Sequence, residues 1–214
     1  VHRGHQALVA RVVKRAQEID SLATVLTFQP HPRQVLAPVD GDFLLTPFED
    51  KVGLLEQVGV ELLVVMGFTG ELARMSAREF LAKVVDKLRV VELWCGPGFT
   101  LGRGREAGLP ELKAISEELG FRLRVVEPFI LADQVVSSTR IRKLLASGAV
   151  VEASELLGRR PSFTGRVVAG DSRGRELGFP TANLALNRLQ ALPQDGVYAV
   201  RVHLPQAGVH PGVA

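Results

Sequence analysis

Between Gln6 and Asp20 the apolar residues Leu8, Val9, Val12, Val13, Ala16 and Ile19 recur at helical spacing, which predicts a helix with one buried stripe. The run from Ala23 to Phe28 is short and β-rich, and predicts a strand. It ends in Gln29-Pro30-His31-Pro32, where two prolines cannot continue a central strand and predict a stiff extended loop. That loop would present His31 at the C-terminal edge of the strand, where ligands bind in open α/β sheets. Thr46-Pro47-Phe48-Glu49 reads as an N-cap, a proline at the first helical position and a capping acid, with Gly59 as the stop. Glu61 to Met66 is apolar through Leu62-Leu63-Val64-Val65, as expected of a strand covered on both faces. Ser76 caps a helix over Ala77 to Leu88. A strand over Val90 to Cys95, a helix over Leu109 to Leu119 and a strand over Phe121 to Val126 follow. Strands alternating with helices predict βαβ units on a parallel sheet, so the fold class is α/β.

The pattern changes after the next two helices. Val135-Val136-Ser137-Ser138-Thr139-Arg140-Ile141-Arg142 stands directly ahead of one, a short helix that ends near Gly148, and the other spans Val150 to Leu157. Gly158-Arg159-Arg160-Pro161 reads as a linker. Beyond it, Phe163 to Ala169 and Val197 to His203 read as strands separated by Gly-, Pro- and Asn-rich loops with no helical crossover. The expected division is therefore one α/β domain over residues 1–157 and the start of a small β domain over 158–214.

With 214 residues, 46% of them hydrophobic and 23% charged, the chain can bury a real core. A single cysteine, Cys95, excludes an internal disulfide framework and a cysteine-based zinc site, and fits a reducing cytoplasm. No apolar run approaches the roughly 20 residues a membrane helix needs, and the N-terminus lacks a charged-then-apolar signal pattern. A net charge of +3 suits polyanionic ligands, yet basic residues are spread along the chain and aromatics make up only 6%. That composition argues against a stacking platform for single-stranded nucleic acid. Partners are expected to be small molecules, with neither nucleic acid nor membrane, for a cytoplasmic monomer or weak homo-oligomer. Val1 stands directly before the first candidate motif with no strand ahead of it, which suggests truncation at that end.

That motif is His2-Arg3-Gly4-His5 at the start of the first predicted helix. A helix start offers unpaired N–H groups and the positive end of a dipole, so it receives phosphate. A histidine held there can share a proton with a phosphoryl oxygen. The loop Gly96-Pro97-Gly98-Phe99-Thr100-Leu101-Gly102-Arg103-Gly104-Arg105 carries four glycines, two arginines and one aromatic, a set able to approach phosphate and cover a planar ring. At the Ser137-Ser138-Thr139 helix start, Arg140 and Arg142 oppose the helix dipole by some tenths of a kcal/mol, which makes sense if an anion is bound.

Taken together, these stretches resemble the bacterial bifunctional riboflavin kinase/FAD synthetase family. The resemblance rests on Val1-His2-Arg3-Gly4-His5, Thr27-Phe28-Gln29-Pro30-His31-Pro32 and Ser137-Ser138-Thr139-Arg140-Ile141-Arg142. It rests most specifically on Gly174-Arg175-Glu176-Leu177-Gly178-Phe179-Pro180-Thr181-Ala182-Asn183 followed by Gly196-Val197-Tyr198-Ala199. It implies a Rossmann-like nucleotidyltransferase domain with a parallel sheet and then a partial β-barrel flavokinase domain. The implied chemistry is phosphorylation of riboflavin to FMN and adenylylation of FMN to FAD, with ATP and Mg²⁺. By the resemblance, His2 and His5 are catalytic. His2, Gly4, His5, Ser138, Thr139 and Arg140 bind ATP in adenylyl transfer, and Phe28, Pro30, His31, Pro32 and Phe99 lie near the flavin. In the second domain Gly170, Gly174, Gly178, Pro180, Thr181 and Asn183 bind ATP, with Thr181 and Asn183 as metal ligands.

Three departures from the family pattern accompany this. The family carries an acid or amide where this chain has Gly98. Its kinase base is a glutamate well downstream of Gly196-Val197-Tyr198-Ala199, so a chain ending at Ala214 is expected to be inactive as a kinase. The first strand that precedes the histidine motif is also absent, so the sheet is expected to lack a central strand. Two other readings stay open on the residues alone: a different H-x-G-H nucleotidyltransferase, of the pantetheine-phosphate or glycerol-phosphate type, and a non-catalytic flavin- or nucleic-acid-binding protein.

Overall fold

The computed structural model describes residues 1–37, 41, 43–170, 178 and 181–214. Contacts divide the chain into two compact units, a first of residues 1–41 and 46–137 and a second of residues 42–45 and 138–214. The two helices ahead of the Gly158 linker therefore belong with the second unit.

The first unit is α/β. Helix α1 (Arg3–Glu18) leads to strand β1 (Thr24–Gln29), a short helix α2 (Pro32–Leu36) and helix α3 (Phe48–Glu56). Strand β2 (Leu62–Gly67), the short helix α4 (Gly70–Arg74), helix α5 (Ala77–Leu88) and strand β3 (Glu92–Cys95) come next. Helix α6 (Leu109–Leu119), strand β4 (Arg122–Val125) and a hairpin of β5 (Ile130–Leu131) and β6 (Gln134–Val135) complete it. Strands β1 and β2 pair in parallel with Thr27 opposite Val65, and β3 and β4 pair in parallel with Trp94 opposite Arg124. Among the described residues the parallel pairing forms two separate two-stranded sheets rather than one continuous sheet.

The core of this unit lies where α5 and α6 cover the strands. Ala77, Phe80, Leu81, Ala107, Leu112 and Phe121 are buried there, with Leu26, Phe28, Met66, Leu93 and Leu123 packed against them. Full burial of a leucine such as Leu112 contributes about 2 kcal/mol. Helix α5 begins where its sequence predicts: Ser76 Oγ accepts from Glu79 N–H at 3.2 Å, and Glu79 Oε2 accepts from Ser76 N–H at 2.9 Å. Glu92 of β3, with its side chain only 6% exposed, accepts from Arg15 of α1 and Arg124 of β4 and so ties α1 to the second sheet. Desolvation raises its pKa, but the hydrogen bonds and charges of Arg124 and Arg15 outweigh that and hold the carboxyl below its usual range.

Several sequence expectations need correction. Helix α3 is capped by Pro47 rather than Thr46, and no side chain supplies the capping hydrogen bond. Strand β2 is not covered on both faces: Leu62 is 38% and Val65 44% exposed. The Pro30-His31-Pro32 stretch is extended only as far as His31, because Pro32 starts α2, its fixed φ being suited to a first helical turn. The peptide bond between Gln29 and Pro30 is cis.

The second unit opens with helices α7 (Ser138–Ala146) and α8 (Val150–Leu157), which bury Ile141, Leu145, Ala153, Leu156 and Leu157. Phe43 and Leu44 return to this unit, where Arg142 Nε donates to the Phe43 carbonyl at 2.6 Å. Strands β7 (Arg166–Val168) and β8 (Asn183–Ala185) form one antiparallel ribbon, and β9 (Ala199–Leu204) and β10 (Gly208–Val213) form another. Antiparallel ribbons without helical crossovers agree with a change to β structure after the linker, and no closed barrel is present among the described residues.

Candidate active site

His2 is the N-cap of α1, in extended backbone conformation, and its Nδ1 accepts from the His5 N–H at 3.3 Å. The cap folds the His2 ring back over the first turn, where the imidazoles of His2 and His5 stack with centroids 3.8 Å apart and planes 16° from parallel. His2 is buried, while His5 keeps an open side toward solvent. Gly4 makes this arrangement possible. A Cβ on residue 4 would stand 3.1 Å from His2 Cε1, 3.2 Å from His2 Nδ1 and 3.4 Å from the Val136 carbonyl oxygen.

Two stacked imidazoles resist double protonation. Desolvation first, then the positive charges around it, those of His2 and Lys51 among them, push the His5 pKa down to about 3. The imidazole is therefore neutral near pH 7, able to donate through one ring nitrogen and to take a proton when an anion approaches.

Lys51, on α3, is a residue that sequence spacing did not single out. Its Nζ donates to Thr27 Oγ1 on β1 at 3.1 Å and lies 5.5 Å from the centroid of the Phe48 ring. Burial lowers its pKa. It lies 24 residues from Thr27 in the chain, and only folding reveals the relation.

The remaining candidates are more scattered. Phe28 points into the core, edge-on to Phe68 at 5.4 Å and tilted against Phe80 at 6.1 Å. His31 caps α2: its Nδ1 accepts from Arg33 N–H at 3.2 Å, while its own N–H donates to Gln34 Oε1 at 2.9 Å. Pro30 is exposed and Pro32 half-buried beside it. Phe99 is 37% exposed on the glycine-rich loop. The two arginines of that loop are engaged within it, Arg105 Nε with Thr100 Oγ1 at 2.8 Å and Arg103 Nε with Glu106 Oε2 at 3.2 Å. Ser138, Thr139 and Arg140 open α7 in the second unit, with Thr139 exposed.

In the ribbon of β7 and β8, Asn183 lies opposite Val168, and Thr181 is exposed two residues before it. A Cβ on Gly170 would overlap the Asn183 side chain, so the absence of one makes room for that amide. Gly178 is in the left-handed region at φ +80. Gly174 and Pro180 lie outside the described residues. Among the described residues no cluster of three or more His, Cys, Asp or Glu side chains could hold a metal. Hydroxyl and amide oxygens such as those of Thr181 and Asn183 instead suit a hard cation that keeps most of its waters and shares phosphate oxygens.

The family model for FAD synthetase matches residues 1–140, and the family model for riboflavin kinase matches residues 157–214. A bifunctional riboflavin kinase/FMN adenylyltransferase of Listeria monocytogenes is 34% identical over 100% of this chain and 68% of its own length. The Bacillus subtilis protein of the same name is 37% identical over 95% of this chain and 65% of its own length. The Escherichia coli K12 protein of that name is 36% identical over 94% of this chain and 64% of its own length. The chain thus spans about two thirds of the length of these curated relatives. A crystal structure described as a macrolide-efflux protein from Streptococcus pneumoniae superposes with a TM-score of 0.86 at 32% identity, covering 99% of this chain and 69% of that one. Its description names a transport activity, whereas the curated relatives and both family models agree on flavin chemistry. No helix among the described residues is long and apolar enough to cross a membrane.

Proposed function

The chain belongs to the bifunctional riboflavin kinase/FMN adenylyltransferase family of flavin cofactor biosynthesis, and we propose that its first half carries out the adenylyl transfer through the stacked His2–His5 pair. In this reading a phosphate oxygen of FMN attacks the α-phosphorus of ATP. The bond from that phosphorus to the bridging oxygen breaks, and pyrophosphate leaves with the electron pair, giving FAD. The FMN phosphate is already a nucleophile, so no strong base is required and catalysis consists of placement and electrostatics. His5, held neutral in the free protein, becomes more basic when triphosphate arrives beside it, and it donates to the oxygen on which charge develops. His2 orients His5 from the cap position. Gly4 leaves the close approach open, and the family resemblance assigns Ser138, Thr139 and Arg140 to ATP binding. Pro30, His31, Pro32, Phe28 and Phe99 belong to the flavin side.

For the second half, the reading is transfer of the γ-phosphoryl group of ATP to the riboflavin hydroxyl on a β-barrel domain of which the ribbons β7·β8 and β9·β10 form part. Thr181 and Asn183 would hold Mg²⁺, which neutralises phosphate charge when bound. Gly170, Gly174, Gly178 and Pro180 are assigned to ATP binding in this half by the family resemblance. The corresponding division assigns residues 1–157 to adenylyl transfer and 158–214 to the kinase, in a cytoplasmic protein whose partners are its small-molecule substrates. The observation that carries the reading is the capped and stacked histidine pair at the start of α1. Incubation with FMN, ATP and Mg²⁺, followed by chromatography of the products, is expected to yield FAD and pyrophosphate. Absence of FAD under conditions where ATP binds would overturn it.

A further inference from the structure

We propose that Lys51 is a phosphate-binding residue of the adenylyl-transfer site, holding by its ammonium group either a phosphate of ATP or the phosphate of FMN. The proposal rests on the functional reading above and adds a residue to it.

The position is unusual for a structural lysine. Lys51 is half-buried, and among the described residues no carboxylate pairs with it. An ammonium group has three donors. One goes to Thr27 Oγ1 at 3.1 Å, and the Phe48 ring at 5.5 Å flanks the head group. The two contacts fix where Nζ stands without neutralising it. Removing an ammonium from water without a counter-ion costs stability, as the burial-driven fall in its own pKa reflects. A mere tie between α3 and β1 could be made by a neutral side chain.

The surroundings favour an anion. Lys51 is close enough to His5 for its charge to disfavour the imidazolium, and His5 stacks on His2. The His2 and His5 imidazoles and the Lys51 ammonium belong to the same unit, and among the described residues neither His5 nor Lys51 forms an ion pair with an acid. Such a set disfavours protonation and is stabilised by a polyanion. Thr27 stands near the C-terminal end of β1, two residues before Gln29, on the side of a parallel pair where ligands bind. The chemistry is therefore that of a phosphate group, carried by the nucleotide or by the flavin.

The test compares the protein with Lys51→Met, which keeps the aliphatic stem, and Lys51→Arg, which keeps the charge. ATP, FMN and inorganic pyrophosphate are titrated separately by calorimetry, alongside kcat and KM for FAD formation and a thermal melt. Lys51→Met is expected to weaken at least one phosphate ligand about tenfold or more, with Lys51→Arg recovering much of the loss. Weakening of ATP and pyrophosphate assigns the residue to the nucleotide, and weakening of FMN alone assigns it to the flavin phosphate. Unchanged binding of all three in Lys51→Met, or equal losses in both variants, overturns the proposal. FAD formation with unchanged kcat and KM in Lys51→Met removes this inference and leaves the functional reading intact. Lys51-dependent phosphate binding by a protein that makes no FAD does the reverse, and a protein that binds none of the three ligands overturns both.

Discussion

Gly4 carries the sharpest consequence at the scale of single residues. Near the start of α1 an alanine would favour the helix by up to about 1 kcal/mol over glycine, but its methyl would press on the His2 ring at 3.1 Å. Gly4→Ala is therefore expected to leave the melting temperature unchanged or slightly raised while FAD formation falls roughly tenfold to a hundredfold through displacement of the stacked pair. A steady-state assay beside a thermal melt decides it, and an unchanged rate would show that the His2 ring position is not needed. His5 gives a prediction in pH. Its folded pKa, about 3, lies below the ordinary 6.5, so the unfolded chain takes up the proton first. Stability should be indifferent to this group above pH 6.5 and decline as pH falls from there toward 3. Carboxylates held low, such as Glu79 and Glu92, add their own losses only below about pH 4.5. Urea midpoints at pH 7 and pH 5 are expected to differ less in His5→Asn than in the parent. An equal difference in the two proteins would mean that His5 is not held neutral.

Among the elements, the glycine-rich loop is less free than its composition suggests. Arg103 N–H donates to the Met75 carbonyl at 3.0 Å, and Glu106 Oε1 accepts from Ala77 N–H at 3.0 Å, so the loop serves as a cap for α5. Gly102 sits at φ +83 and ψ 175, a region open essentially to glycine, and a Cβ there would stand 2.6 Å from the Ala77 nitrogen. Gly102→Ala should cost roughly 1–3 kcal/mol in urea unfolding, and a cost below about 0.5 kcal/mol would contradict this packing. The loop also shows what a sequence can disclose. Helix α5 was legible because Ser76 marks its start, and α6 because its apolar positions keep helical spacing. Thr46 misled because several adjacent residues could cap α3 and only the packed chain selects Pro47. The exposure of β2 was hidden because apolar runs report what a strand could bury, while neighbours decide what it does bury. The short α4 and the β5·β6 hairpin carry too few residues for a periodic signal. For the site, His2, Gly4 and His5 lie within four residues and read directly, whereas Lys51 reaches Thr27 across 24 residues and left no local trace.

For the molecule as a whole, the stacked histidines with Lys51 and the Thr181–Asn183 pair lie in different units, and that separation is itself testable. His2, Gly4, His5 and Lys51 belong to the α/β unit, whereas Thr181 and Asn183 belong to the unit with the antiparallel ribbons. The two reactions also demand different things. Adenylyl transfer joins two phosphates and needs donors for charge at the α-phosphate, which a histidine at a helix start supplies. Phosphorylation of an alcohol transfers the terminal phosphoryl group, and the short oxygen side chains of Thr181 and Asn183 suit a cation bridging phosphates. If each set serves its own reaction, damage should not cross between them. In the full-length protein, His5→Ala is expected to depress FAD formation from FMN a hundredfold or more without altering FMN formation from riboflavin. In the same full-length protein, Asn183→Ala should depress FMN formation and leave FAD formation from added FMN intact. Each step is assayed separately with its own flavin substrate, so loss of the first cannot starve the second. Equal damage to both steps from either change would mean that the two sites share a residue or a binding event, and the assignment of one reaction to each half would have to be abandoned.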